Sequence, residues 1–315
     1  MNQPMTMKNN GQINIILNNQ QKKIEVKRHQ QTDVYNKPFP SQHNILKEIE
    51  DELLSLVGME EIKRIVKEIY AWIFINKKRE EEGLKPGKQV LHMMFKGNPG
   101  TGKTTVARLL GKLFVRMNVL SKGHLIEAER ADLVGEYIGH TAQKTRELIK
   151  RAMGGILFID EAYSLARGGE KDFGKEAIDT LVKHMEDKQN EFILILAGYS
   201  KEMEHFLSLN PGLYSRFPLV IDFPDYTVDQ LMEIASRMIS ERDYTFHQEA
   251  EWKLRNHLLS IRNSLHPASF SNGRYVRNVI EKSVRVQAMR LLFQEELDRK
   301  QLMTINSEDL LINDI

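Results

Sequence analysis

Cysteine is absent from the chain. Disulfides, thiolate zinc sites and a thiol nucleophile are therefore excluded. No apolar run approaches the length of a membrane span, and the first residues lack the apolar core of a secretory signal. A cytoplasmic location is the resulting expectation. An excess of charge is missing as well: 45 Lys and Arg stand against 43 Asp and Glu, a net charge of +2. That balance argues against a dominant electrostatic grip on nucleic acid. What is present, 41% hydrophobic and 28% charged in 315 residues, suits a globular protein with room for two domains.

The most informative stretch is Gly97-Asn98-Pro99-Gly100-Thr101-Gly102-Lys103-Thr104, followed by Thr105. It satisfies G-x-x-x-x-G-K-[ST] at every fixed position. Glycines let the backbone turn so that successive N–H groups point into one concavity. A helix beginning near Gly102 would aim its unpaired N–H groups and positive dipole end at the same anion. Lys103 would reach the β- and γ-phosphates, and the Thr104 hydroxyl would sit on Mg²⁺. The context agrees, with the apolar run Val90–Phe95 before the loop and helical spacing over Val106–Val115 after it. ATP with Mg²⁺ is the expected ligand.

A second signal lies downstream, where Ile156-Leu157-Phe158-Ile159 ends in Asp160-Glu161. At the carboxyl end of a buried parallel strand the two acids face the ligand crevice. Asp160 is suited to the Mg²⁺ shell and Glu161 to accepting a proton from the attacking water. Two arginines are candidates for the positive charge that phosphoryl transfer needs: Arg216, just before Leu219–Phe223, and Arg274, opening a late helix. Val57-Gly58 interrupts the early helical pattern and is placed to set backbone against an adenine ring. Tyr137, in Glu136-Tyr137-Ile138-Gly139-His140-Thr141, is either folded onto the core or exposed for use.

The organisation is tripartite. Residues 1–44 are rich in Asn, Gln and Lys and read as a mobile arm, within which Ile13–Leu17 and Ile24–Val26 could pair as a hairpin. Residues 45–224 alternate helices with strands that are apolar throughout, the pattern of a parallel sheet covered on both faces. Residues 225–315 read as a small all-α region.

Together, Gly97–Thr105, Glu136–Thr141, Ile156–Glu161, Asn210–Phe217 and Asn272–Asn278 resemble the AAA+ ATPase superfamily, most closely its CbbX-like branch. The resemblance runs from about residue 45 to residue 310. It implies an α/β P-loop domain followed by a helical lid, and ATP hydrolysis coupled to protein remodelling. It further implies a homo-oligomeric ring, typically a hexamer, acting on a client polypeptide, with a role in spore maturation. In this frame Arg216 matches an arginine finger serving a neighbouring subunit, and Arg274 the sensor-2 arginine, with Arg277 close enough to compete. Tyr137-Ile138-Gly139 matches the channel loop, and Gly168–Phe173 falls at a second one. The sensor-1 position departs from the usual Asn or Thr, leaving Tyr199 and Ser200 as alternatives. A Rubisco-activase-like regulator and a nucleic-acid motor are the competing readings; the acidic Glu136 beside Tyr137 disfavours the latter.

Overall fold

The computed structural model describes residues 44–87, 89–137, 139–167, 173–263, 270–294 and 296–312. Residues 1–43 of the arm expected over 1–44, Ile138 and most of the second channel loop, at residues 168–172, lie outside the described residues. Two helices, α1 (Asn44–Leu54) and α2 (Glu60–Glu81), lead into β1 (Met93–Gly97) and α3 (Lys103–Arg116). Then come β2 (Leu125–Ala128), the short α4 (Arg130–Leu133), α5 (His140–Ala152), β3 (Ile156–Ile159), α6 (Gly174–Asp187) and β4 (Ile193–Gly198). The large domain closes with α7 (Ser200–Leu209), α8 (Pro211–Tyr214) and β5 (Leu219–Phe223).

The sheet order is β2-β3-β4-β1-β5, every pairing parallel. Strand side chains alternate between two cores. Phe95, Phe158 and Ile195 pack with α1, α2 and α3 on one face, and Met94, Leu157 and Leu194 with α5, α6 and α7 on the other. Because both faces are covered, β3 and β4 are buried at every position, and a continuous apolar run is what such a strand requires. The order reverses at β1, so a crevice opens beyond its carboxyl end, where the glycine-rich loop sits.

Beyond β5 the lid comprises α9 (Val228–Ser240), α10 (Gln248–Asn263) and α11 (Asn272–Leu291), with α12 (Arg299–Met303). Leu231, Ala235, Leu254, Val276 and Ile280 form its own core. Thr227 caps α9, its hydroxyl accepting from Gln230 N–H while the Gln230 side chain accepts from Thr227 N–H. The lid also contains a two-residue parallel ladder, β6 (Thr245–Phe246) against β7 (Thr304–Ile305), too short for strand periodicity to reveal. Among the described residues no helix is long and apolar enough to cross a membrane.

One polar group is embedded in the large-domain core. His92 is 1% exposed; its Nδ1 accepts from Leu194 N–H at 3.0 Å, so Nε2 carries the proton and faces the Met185 carbonyl at 3.1 Å. Burial lowers its pKa from the usual histidine value. A folded value below the unfolded one, near 6.5, contributes stability that is complete above about 6.5 and lost as pH falls through the folded value. His184 and His257 are lowered by the same cause and share this window. We therefore expect denaturant-melt stability to fall as pH drops below about 6.5, with a shallower slope in His92→Gln. Identical slopes would remove His92 from the account.

Candidate active site

The loop after β1 closes on itself before α3 begins. Gly100 (φ +70°) and Gly102 (φ +91°) both take left-handed backbone, and Gly102 caps α3. A Cβ on Gly100 would stand 2.0 Å from the Ser271 carbonyl oxygen of the lid, so this glycine is required by what lies behind the loop as well as by its turn. Lys103, Thr104 and Thr105 form the first turn of α3, where backbone N–H groups lack helical partners. The Lys103 Nζ donates to the carbonyls of Gly97 and Asn98, both at 2.8 Å. Burial lowers its pKa; the carboxylates of Asp160 and Asp225 oppose that, and the Arg274 charge adds to it.

This loop forms one wall of a cleft of about 750 Å³, within the ~300–1,000 Å³ typical of small-molecule sites. Asp160, Glu161 and Tyr199 come from the ends of β3 and β4, and Arg274 and Arg277 from the first turns of α11. Val57, Met59, Ile234, Met238 and Ile280 line an apolar portion. Gly58 and Met59 take successive left-handed conformations between α1 and α2. Val57 lines the cleft; Gly58 does not, facing the Gln230 amide instead. Tyr199 reaches the cleft, whereas Ser200 is drawn into the start of α7. Arg274 and Arg277 both enter it, and of the two only the Arg274 charge acts on Lys103.

The acids sit where β3 ends. Asp160 N–H donates to the Ala128 carbonyl at 3.0 Å, and its Oδ1 accepts from Glu161 N–H at 2.9 Å. Glu161 is left-handed (φ +47°), which turns it away from the strand direction. Tyr163 lies under it, nearly buried, with its ring 5.8 Å from that of Tyr199 and 4.9 Å from the Arg167 guanidinium. Burial raises the Tyr163 pKa, and the neighbouring Glu161 carboxylate, which its hydroxyl bonds, raises it further. Tyr163 thus remains a donor that steadies Glu161.

The remaining loop positions turn outward. Thr101 is buried, its hydroxyl donating to the Asn98 carbonyl at 2.8 Å. Asn98 donates through Nδ2 to both oxygens of Asp225, at 3.0 and 3.1 Å. Asn272 of α11 donates to the Pro99 carbonyl, Gly273 N–H to the Gly100 carbonyl at 3.0 Å, and the Tyr226 hydroxyl to the Thr101 carbonyl at 3.1 Å. Burial pushes the Tyr226 pKa up to about 12. Sequence reasoning assigned no role to Asp225, Tyr226 or Asn272. The available signal was position: two directly follow Pro224 at the domain boundary, and the third precedes Gly273-Arg274.

Besides Gly58, Asn98 and Thr101, which do not line the cleft, Arg216 and the channel-loop residues Tyr137 and Gly139 lie away from it. Arg216 does not line it; its Nε pairs with Glu186 at 2.6 Å and its Nη1 bonds the Gly212 carbonyl at 2.5 Å. Tyr137 is 65% exposed, its ring edge-on to His140 at 5.4 Å, so folding onto the core is ruled out. The base of its loop is anchored, because Gly135 N–H donates to the buried Thr141 hydroxyl and Lys144 bonds the carbonyls of Ala131 and Val134.

A basic, N–H-rich end beside an apolar end fits a molecule with a polyphosphate at one end and a flat ring at the other. Among the described residues no group of three or more His, Asp or Glu could cage a metal. One carboxylate and one hydroxyl, Asp160 and Thr104, suit Mg²⁺, which keeps waters and phosphate oxygens as its other ligands.

Residues 93–225 match the ATPase family associated with various cellular activities (AAA), and residues 227–314 the AAA lid domain. Stage V sporulation protein K of Bacillus subtilis (strain 168) is 71% identical over 98% of this chain and 97% of its own length. CbbX of Cereibacter sphaeroides is 44% identical, over 84% of this chain and 86% of the relative. The chloroplastic ribulose bisphosphate carboxylase/oxygenase activase of Cyanidioschyzon merolae is 42% identical, over 84% and 91%. Among solved structures, the RuvB Holliday junction branch migration motor of Thermotoga maritima shares the fold. Its TM-score is 0.50 at 19% identity, covering 81% of this chain and 68% of that one.

Replacing Gly100 tests how firmly the lid abuts the loop. Gly100→Ala is expected to lower unfolding stability by at least ~1–2 kcal/mol, the usual cost of left-handed backbone for an L-residue, with the overlap on Ser271 added. Chemical denaturation measures it, and an unchanged midpoint would mean that the lid yields at no cost.

Proposed function

The chain belongs to the AAA ATPase family and hydrolyses ATP; from that premise we propose that it is a protein-remodelling motor acting as a homo-oligomeric ring, a hexamer as is typical of the family. The nucleotide lies in the cleft, its phosphates against the loop N–H groups and Lys103, its base against Val57, Met59 and the apolar lid residues. Thr104 and Asp160 would hold Mg²⁺, which would neutralise phosphate charge. Glu161, steadied by Tyr163, accepts the proton of the attacking water, with Tyr199 lining the same cleft. Arg274 brings positive charge from the lid, so that lid position follows the state of the phosphates.

The observation that carries the ring is the placement of the arginines. Arg274 and Arg277 enter their own cleft, while Arg216 stands outside it, paired with Glu186, and would have to exchange that pair for a neighbour's nucleotide. Tyr137 supports the motor reading: a large ring exposed at the tip of a loop with a fixed base is suited to gripping a polypeptide. The 71% identity to a sporulation protein favours a client in spore maturation. Identity of 42–44% to CbbX and to a Rubisco activase keeps a second reading, a regulator of a sugar-bisphosphate enzyme. Stimulation of ATP turnover by a sugar bisphosphate would favour that reading; stimulation by unfolded polypeptide favours ours.

Glu161→Gln is expected to retain ATP affinity while turnover falls about 10²–10⁴-fold, as loss of a general base does. Arg216→Ala is expected to lower turnover by about 10³-fold or more. Mixing Arg216→Ala with Lys103→Ala subunits should restore part of it, since one partner keeps an intact nucleotide site and the other an intact finger. Steady-state turnover of the separate and mixed proteins checks this, and absence of any recovery would refute a shared site. Tyr137→Ala should leave basal turnover near wild type and abolish its stimulation by polypeptide.

A further inference from the structure

Three consecutive carbonyls of the phosphate loop, those of Pro99, Gly100 and Thr101, point away from the cleft, and each accepts a hydrogen bond from the lid side. The centre of this arrangement is Asn272. It is fully buried, yet holds a left-handed backbone (φ +48°), a conformation seldom kept by a non-glycine residue without a reason. Its amide is used on both sides: Nδ2 donates to Asp225 Oδ1 at 2.7 Å and to the Pro99 carbonyl at 3.3 Å, and Oδ1 accepts from Tyr226 N–H at 3.1 Å. Two acceptors face one end and one donor the other, so the amide orientation is forced by its partners. The Asp225 carboxylate closes the circuit by accepting from Asn98, within the loop itself.

We infer that Asn272 is a positioning residue of the nucleotide site, clamping the carbonyl face of the phosphate loop through Pro99 and Asp225 so that the loop keeps its anion-receiving shape only while the lid stands against it. The N–H face of the loop then serves the phosphates and the carbonyl face serves the lid, and a rotation of any one peptide is felt on both. Affinity for nucleotide and placement of the lid become one equilibrium, reciprocal as linkage requires. The inference rests on the proposed nucleotide site and deepens it; it adds to the sensing role of Arg274 a contact made through the loop's own backbone.

The test uses the full chain and two substitutions that tolerate left-handed backbone. Asn272→Gly deletes the amide. Asn272→Asp keeps its shape but turns a carboxylate oxygen towards Asp225 and the Pro99 carbonyl. Asn98→Ala severs the circuit from the loop side and serves should either lid variant fail to fold. The binding probe is Mg²⁺ with ATPγS. Because the chain has no cysteine, Lys150→Cys and Glu251→Cys place two labels, on α5 and α10, that report the distance between the domains.

All three variants are expected to bind ATPγS at least tenfold more weakly and to lose the nucleotide-dependent change in label distance. Adding Asp225→Asn to Asn272→Asp should recover part of the affinity by restoring one donor to the pair. Variants that melt at lower temperature but bind within twofold of the parent, with the distance still responding, would overturn the clamp and leave Asn272 a hinge residue. Failure of the parent itself to bind ATPγS, or equal binding by Lys103→Ala, would instead sink the nucleotide site. The two failures are therefore distinguishable.

Discussion

A peptide group has two ends, and a loop that gathers N–H groups around an anion must send its carbonyls the other way. In this protein the outward carbonyls of residues 99–101 meet Asn272, Gly273 and Tyr226, so the loop is bonded to the lid while its inner face lines the cleft. The size of residue 100 follows from the same constraint, because the α11 amino terminus approaches too closely for any side chain. The phosphate loop is a wall shared by two domains.

The rest of the large domain holds that wall still. β1 is flanked on both sides by parallel neighbours, and Phe95 packs against Phe223 and Phe158 with centroids 4.9 and 6.5 Å away. Burial of such a side chain contributes about 1.5–3 kcal/mol, and the cores on the two faces of the sheet leave β1 little room to shift. The acids occupy the carboxyl end of β3, two strands from β1 in the same sheet, so the geometry between loop and acids is as rigid as the sheet itself. Outside this frame stand the lid with Arg274 and Arg277, Arg216 paired with Glu186, and Tyr137 on its anchored loop.

Charge in the cleft is arranged for a ligand more negative than the protein around it. Five basic side chains line it, Lys103, Arg237, Arg242, Arg274 and Arg277, against four acids, Asp160, Glu161, Glu241 and Glu281, with Arg242 and Glu281 paired at 3.9 Å. Lys103 meanwhile donates to two carbonyls of its own loop.

Amino-acid order alone determined the elements whose cause is local. Glycine spacing and the following lysine define the loop, continuous apolar runs define β3 and β4, and the acids at the end of one of them define the opposite wall. These were legible because each needs only its neighbours along the chain: backbone freedom at Gly100 and Gly102, burial on both faces of a strand, a helix start at Lys103. The lid's helices were legible for the same reason, while the two-residue ladder inside it was not. Only the tertiary structure decided that Gly58 faces Gln230 rather than the cleft, and that Tyr199 rather than Ser200 reaches it. It alone decided that Asp225 and Asn272, separated by most of the lid, close on the back of the phosphate loop. Those choices rest on contacts between residues far apart in sequence, which leave no period and no spacing to read, and the hydrogen bonds of Asn272 exist only once the lid core has brought α11 against the loop.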